Sequence, residues 1–184
     1  AVLISYLTVR RRNVLNACID TLSMVPYIIP GAVVGISLIL AFNNPVLPLV
    51  GTATIMIVSM CIRRIPYTIR SSVAILAQIP LSIDEAAESL GAGKVKTLLK
   101  VTLPMMFSGV FAGAVMSWVT LITELSSSLL LYSFRTQTLN VAVYKAVGNG
   151  TDGRACALAT IVTVFTVISL LIFNKISKDG EIML

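Results

Sequence analysis

Apolar residues run in four long stretches along the chain, 22–42, 46–62, 105–125 and 155–173, each bounded by polar or charged residues. A helix crossing a bilayer core needs about 20 such residues, so each stretch predicts a spanning helix, the second being short. A shorter apolar run, AVLISYL, opens the chain and leads into Arg10, Arg11 and Arg12; it reads as the end of a further, truncated span. A signal peptide would carry its basic residues before the apolar run, not after it. The expectation is an all-helical integral membrane protein of about five spans, with residues 1–184 forming one transmembrane domain that is a fragment of a longer chain.

Residues 65–80 place apolar side chains at helical spacing, but Arg70, Ser71, Ser72 and Gln78 fall among them. That is too polar for a span and predicts an extension of the second helix. Residues 134–152, with Arg135, Asn149 and Asp152, predict a polar connection holding a short helix over 138–147. Gly31 and Gly35, and again Gly109 and Gly113, offer Gly-x-x-x-Gly faces on which another backbone can approach closely; with eleven glycines in the chain, chance is the competing reading. Pro30 is placed to bend the first full span.

Charge sets the orientation. Only 12% of the residues are charged, against about 25% in soluble domains, and the mean hydropathy is +0.94. The net charge of +6 would suggest nucleic acid in a soluble protein, but here the basic residues cluster at span ends. If Arg10, Arg11 and Arg12 are cytoplasmic, then Arg63, Arg64, Arg70, Lys94, Lys96, Lys100, Lys175 and Lys178 follow them inside, leaving Arg135, Lys145 and Arg154 outside. The inside preference for Lys and Arg selects this arrangement over its inverse. Residues 82–104 are then cytoplasmic and 134–152 external.

The chain has three cysteines, Cys18, Cys61 and Cys156, far apart, and no histidine, so no disulfide framework or Cys/His metal site is expected. With no histidine, no GxSxG and no Cys/His pair, an enzyme is not expected either. Trp118 reads as packing or an interfacial anchor, and Asn149-Gly150-Thr151 is a weak sequon.

The polar loop SIDEAAESLGAGKVKTLLKVTLP, residues 82–104, carries the most chemistry. Ser82 and Glu85 have the spacing of a capping box, which predicts a helix starting at Ile83. Asp84 and Glu85 in its first turn complement the helix dipole. Ala86 and Ala87 favour helix and leave a surface without bulk, and Gly91 suits a left-handed stop. A second piece, 94–103, is expected to turn Val95, Leu98, Leu99 and Val101 to one apolar side, with Pro104 opening the next span. GAGKVKT looks like a phosphate loop but fails, because position 88 is Glu and position 95 is Val.

EAAESLG followed by Val101-Thr102-Leu103-Pro104 resembles the cytoplasmic EAA loop of ATP-binding-cassette importer permeases; of the pattern's fixed positions only Ile is replaced, by Val101. The resemblance implies a type I importer permease core, the C-terminal one of its chain, in a bacterial inner membrane, with 82–104 as the coupling loop docked on a cytoplasmic ABC ATPase subunit. Ser82, Asp84, Glu85, Ala86, Ala87, Gly91, Leu103 and Pro104 would be its coupling residues, with Glu85 meeting a basic residue of the ATPase and the two alanines permitting close approach. ATP and Mg would bind the partner, and no cofactor or metal this chain. An extracytoplasmic substrate-binding protein and a second permease core, in the same chain or another, complete the implied assembly; no nucleic acid is implied.

PYTIRSS at 66–72 and ELSSSLLLYSFRTQTLNVAVY at 124–144 resemble the iron(III) branch of that family, with Ser126 in place of the usual Pro. Permeases of this branch often hold two cores in one chain. Related branches carry polyamines, thiamine, phosphonates, sulfate or molybdate. Glu124 has two readings, a carboxylate lining the solute path or one reaching the outer headgroups; an ionisable group at depth must be paired or face water. An ion-gradient-driven transporter or channel would instead show paired intramembrane charges or broken helices, and a membrane assembly subunit would have no path of its own.

Overall fold

The computed structural model describes residues 1–11 and 13–181, and no side chain beyond 176; the side chains of Arg12 and Lys178, which enter the charge pattern, lie outside that set. Every regular element among the described residues is helical. In chain order these are α1 Val2–Arg10, α2 Val14–Ile28, α3 Gly31–Phe42, α4 Ala53–Gln78, α5 Leu81–Ser89, α6 Lys94–Thr97, a π turn Leu98–Thr102, α7 Leu103–Met105, α8 Phe107–Ile122, α9 Ser128–Leu131, α10 Leu139–Gly148 and α11 Asp152–Glu181.

The expected spans hold unevenly. Stretch 155–173 lies wholly inside α11, whose Asp152–Ile176 segment is, among the described residues, the one helix long and apolar enough to cross a membrane. Stretch 22–42 is not one helix: it breaks at Ile29 and Pro30, with a bend of 103°. Pro30 has no amide to donate and disfavours a helical residue before it, so α2 stops and α3 starts with Pro30 as its N-cap. Stretch 46–62 becomes helical only at Ala53. Pro45, Pro48 and Gly51, the last at φ +78°, hold the preceding segment out of helix. From there α4 runs unbroken for 26 residues, so the expected extension over 65–80 is realised as one helix as far as Gln78. Stretch 105–125 shortens to α8, bent by 65° from the helical run before it.

Two compact units emerge. The first comprises Ala1–Val25, Ile65–Ser117 and the end of the chain from Asn174. Its core is Leu76, Ile79 and Met106, with Val2, Tyr6 and Ile83 packed around them. Gly109 and Gly113 of α8 face α4 here: a Cβ on Gly113 would stand 2.7 Å from the Cα of Thr68. Ser71 Oγ donates to the carbonyl of Gly109. Lipid offers no hydrophobic drive for helices to associate, so such close approach and the polar bonds it permits are what hold α4 and α8 together.

The second unit comprises Pro26–Arg64 and Trp118–Phe173. Val34, Leu38, Ile55, Met56 and Leu131 form its core. Gly35 of α3 lies under Leu130 of α9, whose side chain would stand 3.3 Å or less from an added Cβ. Trp118 packs its ring on Phe165 and Phe173 of α11, at 6.4 and 6.1 Å between centroids. The short helix expected over 138–147 is α10, with Thr138 as its N-cap accepting from the Val141 amide.

Candidate functional site

Two groups of polar residues stand out, one in each unit. The first is the loop from α5 to α7. The Ile83 amide bonds to the Pro80 carbonyl, so α5 begins at Leu81 rather than Ile83. Ser82 is thereby drawn inside the first turn, no side chain caps the helix, and the expected Ser82–Glu85 capping box does not form.

Asp84 is in the first turn as expected, but its carboxylate points inward and is only 5% exposed. Its Oδ2 lies 2.8 Å from Nε of Arg10, and its Oδ1 accepts from Thr102 Oγ1 at 2.8 Å. Arg10 Nη1 also donates to the Ile79 carbonyl at 3.0 Å. Sequence reasoning assigned Asp84 to the helix dipole and missed this pairing. The partners are 74 positions apart, and no local pattern joins them.

The rest of α5 is open. Glu85, Ala86, Glu88 and Ser89 are exposed and Ala87 is half-buried. The helix ends in a Schellman motif: the Ala92 amide bonds to the Ala87 carbonyl and the Gly91 amide to that of Glu88. Gly91, at φ +84°, takes the left-handed position, as its sequence context predicted.

The second piece departs from expectation in register. Leu98–Thr102 is a π turn, in which the Leu103 amide bonds back to the Leu98 carbonyl. The extra residue in the turn brings Thr102 over Thr97, whose carbonyl it approaches at 3.4 Å. Both threonines are buried, while Val95 and Leu99 of the expected apolar side are 71% and 56% exposed. Pro104 follows the half-buried Leu103 at the start of α7, and the bend comes at Met106. Pro104 supplies no amide to the helical ladder, and the π turn lies directly upstream of that gap.

The second group surrounds Glu124, in the segment between α8 and α9, at 7% exposure. Arg63 Nη1 and Arg64 Nη2 of α4 lie 2.6 Å from its Oε1 and Oε2 respectively. The Ser127 amide and hydroxyl donate to Oε1 at 3.0 and 3.1 Å. Arg64 further donates to the Thr120 carbonyl at 2.8 Å, and Asn140 Nδ2 of α10 donates to the carbonyls of Ile122 and Glu124. Glu124 also borders a cavity of about 200 Å³ whose lining includes Asn140, Met60 and Phe165.

This corrects the expected depth of three residues. The charge pattern puts Arg63 and Arg64 at an inner helix end, and the span bounds put Glu124 near the outer end of another span, or nearer mid-depth were that helix to run on to 132, yet they touch. The reason is the length of α4: at 1.5 Å per residue it extends about 39 Å, and the two arginines sit near its middle instead of at a terminus. A carboxylate reaching the headgroups would be exposed, so that reading of Glu124 is set aside. Of the serines after it, Ser127 is engaged by Glu124, Ser128 is buried and Ser126 is exposed. Adjacent arginines between an apolar stretch and its helical extension were the available signal, since charge at depth needs a partner.

Comparison with known proteins agrees over nearly the whole chain. The model of the family described as binding-protein-dependent transport system inner membrane component matches residues 1–179. The ferric transport system permease protein FbpB of Actinobacillus pleuropneumoniae is 32% identical over 180 residues, covering 98% of this chain and 26% of that protein. A putative ferric transport system permease protein, FbpB 1 of Haemophilus influenzae, is 35% identical over 146 residues, covering 79% and 23%. The chain thus spans about a quarter of the length of these curated relatives. Among solved structures, a bacterial ABC transporter involved in the import of alginate superposes with a TM-score of 0.79 at 16% identity, over 97% of this chain and 71% of that one.

Proposed function

Because the chain belongs to the family of binding-protein-dependent transport system inner membrane components, we propose that it is the permease core of an ATP-driven importer of iron(III), coupled through α5 to a separate ATPase subunit. Its fold is that of a type I importer permease, all helical. Chemistry on ATP and Mg belongs to the partner, and this chain contributes a path and a docking surface. A substrate-binding protein delivers the solute from outside, as the family description implies. A second permease core completes the path.

The observation that carries the coupling is the build of α5. It is a short helix with an exposed face of Glu85, Ala86 and Ser89, closed by a Gly91 turn and anchored on its other side by Asp84. Small residues on that face permit close approach of a partner, and Glu85 offers it an exposed carboxylate. Iron(III) is supported by the two ferric permease relatives. The buried Arg63–Arg64–Glu124 cluster and the broken α2–α3 run are features also expected of an ion-gradient-driven transporter, so they do not separate the two mechanisms. The family match and the loop favour the ATP-driven one.

The test uses the full-length chain with its ATPase and binding protein in reconstituted vesicles. Glu85→Lys and Gly91→Pro should leave the chain inserted while the ATPase no longer co-purifies and uptake of radiolabelled ferric iron is lost. Normal uptake by both variants would overturn the coupling assignment. Identification of a solute other than iron(III) on the binding protein would overturn the substrate assignment alone.

A further inference from the structure

A nine-residue helix exposed on one face is marginal by itself, so whatever holds α5 also determines where a push on it goes. Ile83 contributes apolar packing against the Leu76, Ile79 and Met106 core. The polar hold on Asp84 comes from a guanidinium and a hydroxyl. Arg10, in the last turn of α1, reaches the Asp84 carboxylate by Nε and the Ile79 carbonyl, just past the end of α4, by Nη1. Thr102, fully buried in the π turn, holds the other carboxylate oxygen. Both charged side chains are more than nine-tenths buried, at 8% and 6% exposure.

We propose that the Arg10–Asp84 pair is the joint through which displacement of α5 is delivered to α1 and to the end of α4. This rests on the reading of α5 as the ATPase-docking helix. Arg10 and Asp84 are positioning residues: neither is on the exposed face of α5, and neither is available to touch a partner or a solute. The chemistry suits a joint. Breaking a buried ion pair by removing one partner leaves an uncompensated charge, so the pair resists separation while the apolar contacts beside it can slide. Ser5 of α1 adds a second tie one turn and a half away, its hydroxyl donating to the Ile69 carbonyl of α4 at 3.2 Å. A pull on Arg10 therefore acts on a helix already fastened to α4.

The experiment compares Asp84→Asn, Arg10→Gln and the double variant in the full transporter. The ATPase should still co-purify and hydrolyse ATP, while solute moved per ATP falls about tenfold, within the range by which a lost coupling contact alters communication between sites. The double variant should be no worse than either single, because the two residues act as one unit. As a second measurement, Arg10→Cys with Asp84→Cys, in a background lacking Cys18, Cys61 and Cys156, should be uncoupled until a short bifunctional thiol cross-linker restores uptake per ATP. Unchanged uptake per ATP in both single variants, or no recovery on cross-linking, would overturn the proposal. Loss of the ATPase from Glu85→Lys, with retention in Asp84→Asn, separates the joint from docking; retention and full uptake in Glu85→Lys would instead count against the docking reading.

Discussion

Arg64 and Glu124, sixty positions apart, meet with 2.6 Å between Nη2 and Oε2, and Arg63 closes on the other carboxylate oxygen at the same distance. Glu124→Gln keeps the size of the side chain and an acceptor for Ser127 but leaves two guanidiniums without their counter-charge. Breaking a buried pair from one side costs about 3–5 kcal/mol. The variant should therefore lose thermal stability in detergent as well as transport. Arg64→Leu should cost less in the Glu124→Gln background than in the wild type, since it then removes a charge whose carboxylate is already gone. A melting curve for Glu124→Gln that overlays the wild type would show that the cluster does not hold the unit together.

Gly113 is tested by adding volume. A Cβ there would stand 2.7 Å from the Thr68 Cα and 3.0 Å from the Ser71 Cβ, distances that require α4 and α8 to move apart. Gly113→Leu should destabilise by about 1–3 kcal/mol, the usual cost of overpacking, and Gly113→Ala by less. Ala112, next to it in α8, is exposed, so Ala112→Leu adds bulk to the same helix without entering the α4 contact and should leave the melting temperature nearly unchanged. Equal melting temperatures for Gly113→Leu and this control would refute the close approach.

Sidedness follows from the charge pattern. Single cysteines at Ser89 and Asn149, both exposed, in a chain lacking the three native cysteines, should be labelled by an impermeant reagent from opposite faces of the membrane. Labelling of both from one face would require a different number of crossings between them.

The features legible in the sequence are those a few neighbouring residues decide. Gly91 announces the end of α5 because the turn needs a positive φ, and the short helix over 138–147 is found one residue later as α10, with Thr138 capping it. Stretch 155–173 is legible because no Pro, Gly or charged residue interrupts it. Pro30 is legible as a bend, from its missing amide, and residues 65–80 as an extension of α4, from their helical spacing. What an apolar stretch read by itself does not give is the full break into α2 and α3, the delay of α4 by the Pro45–Gly51 segment, or the place of Arg63 and Arg64 mid-helix. The cost of Glu124 is plain from the sequence, but its partners emerge only once that helix has its full length. The π turn is equally hidden, since no local pattern marks the extra residue that brings Thr102 over Thr97.

The two ion pairs and the two Ser127 hydrogen bonds gathered on one carboxylate have an evolutionary consequence. Glu124 pairs with Arg63 and Arg64 and accepts from the Ser127 amide and hydroxyl, so loss of Glu124 strands both arginines. Positions 63, 64 and 124 are thereby bound into one inherited unit. Across descendants of this chain they should be kept together or replaced together, even where the apolar residues around them have been exchanged freely.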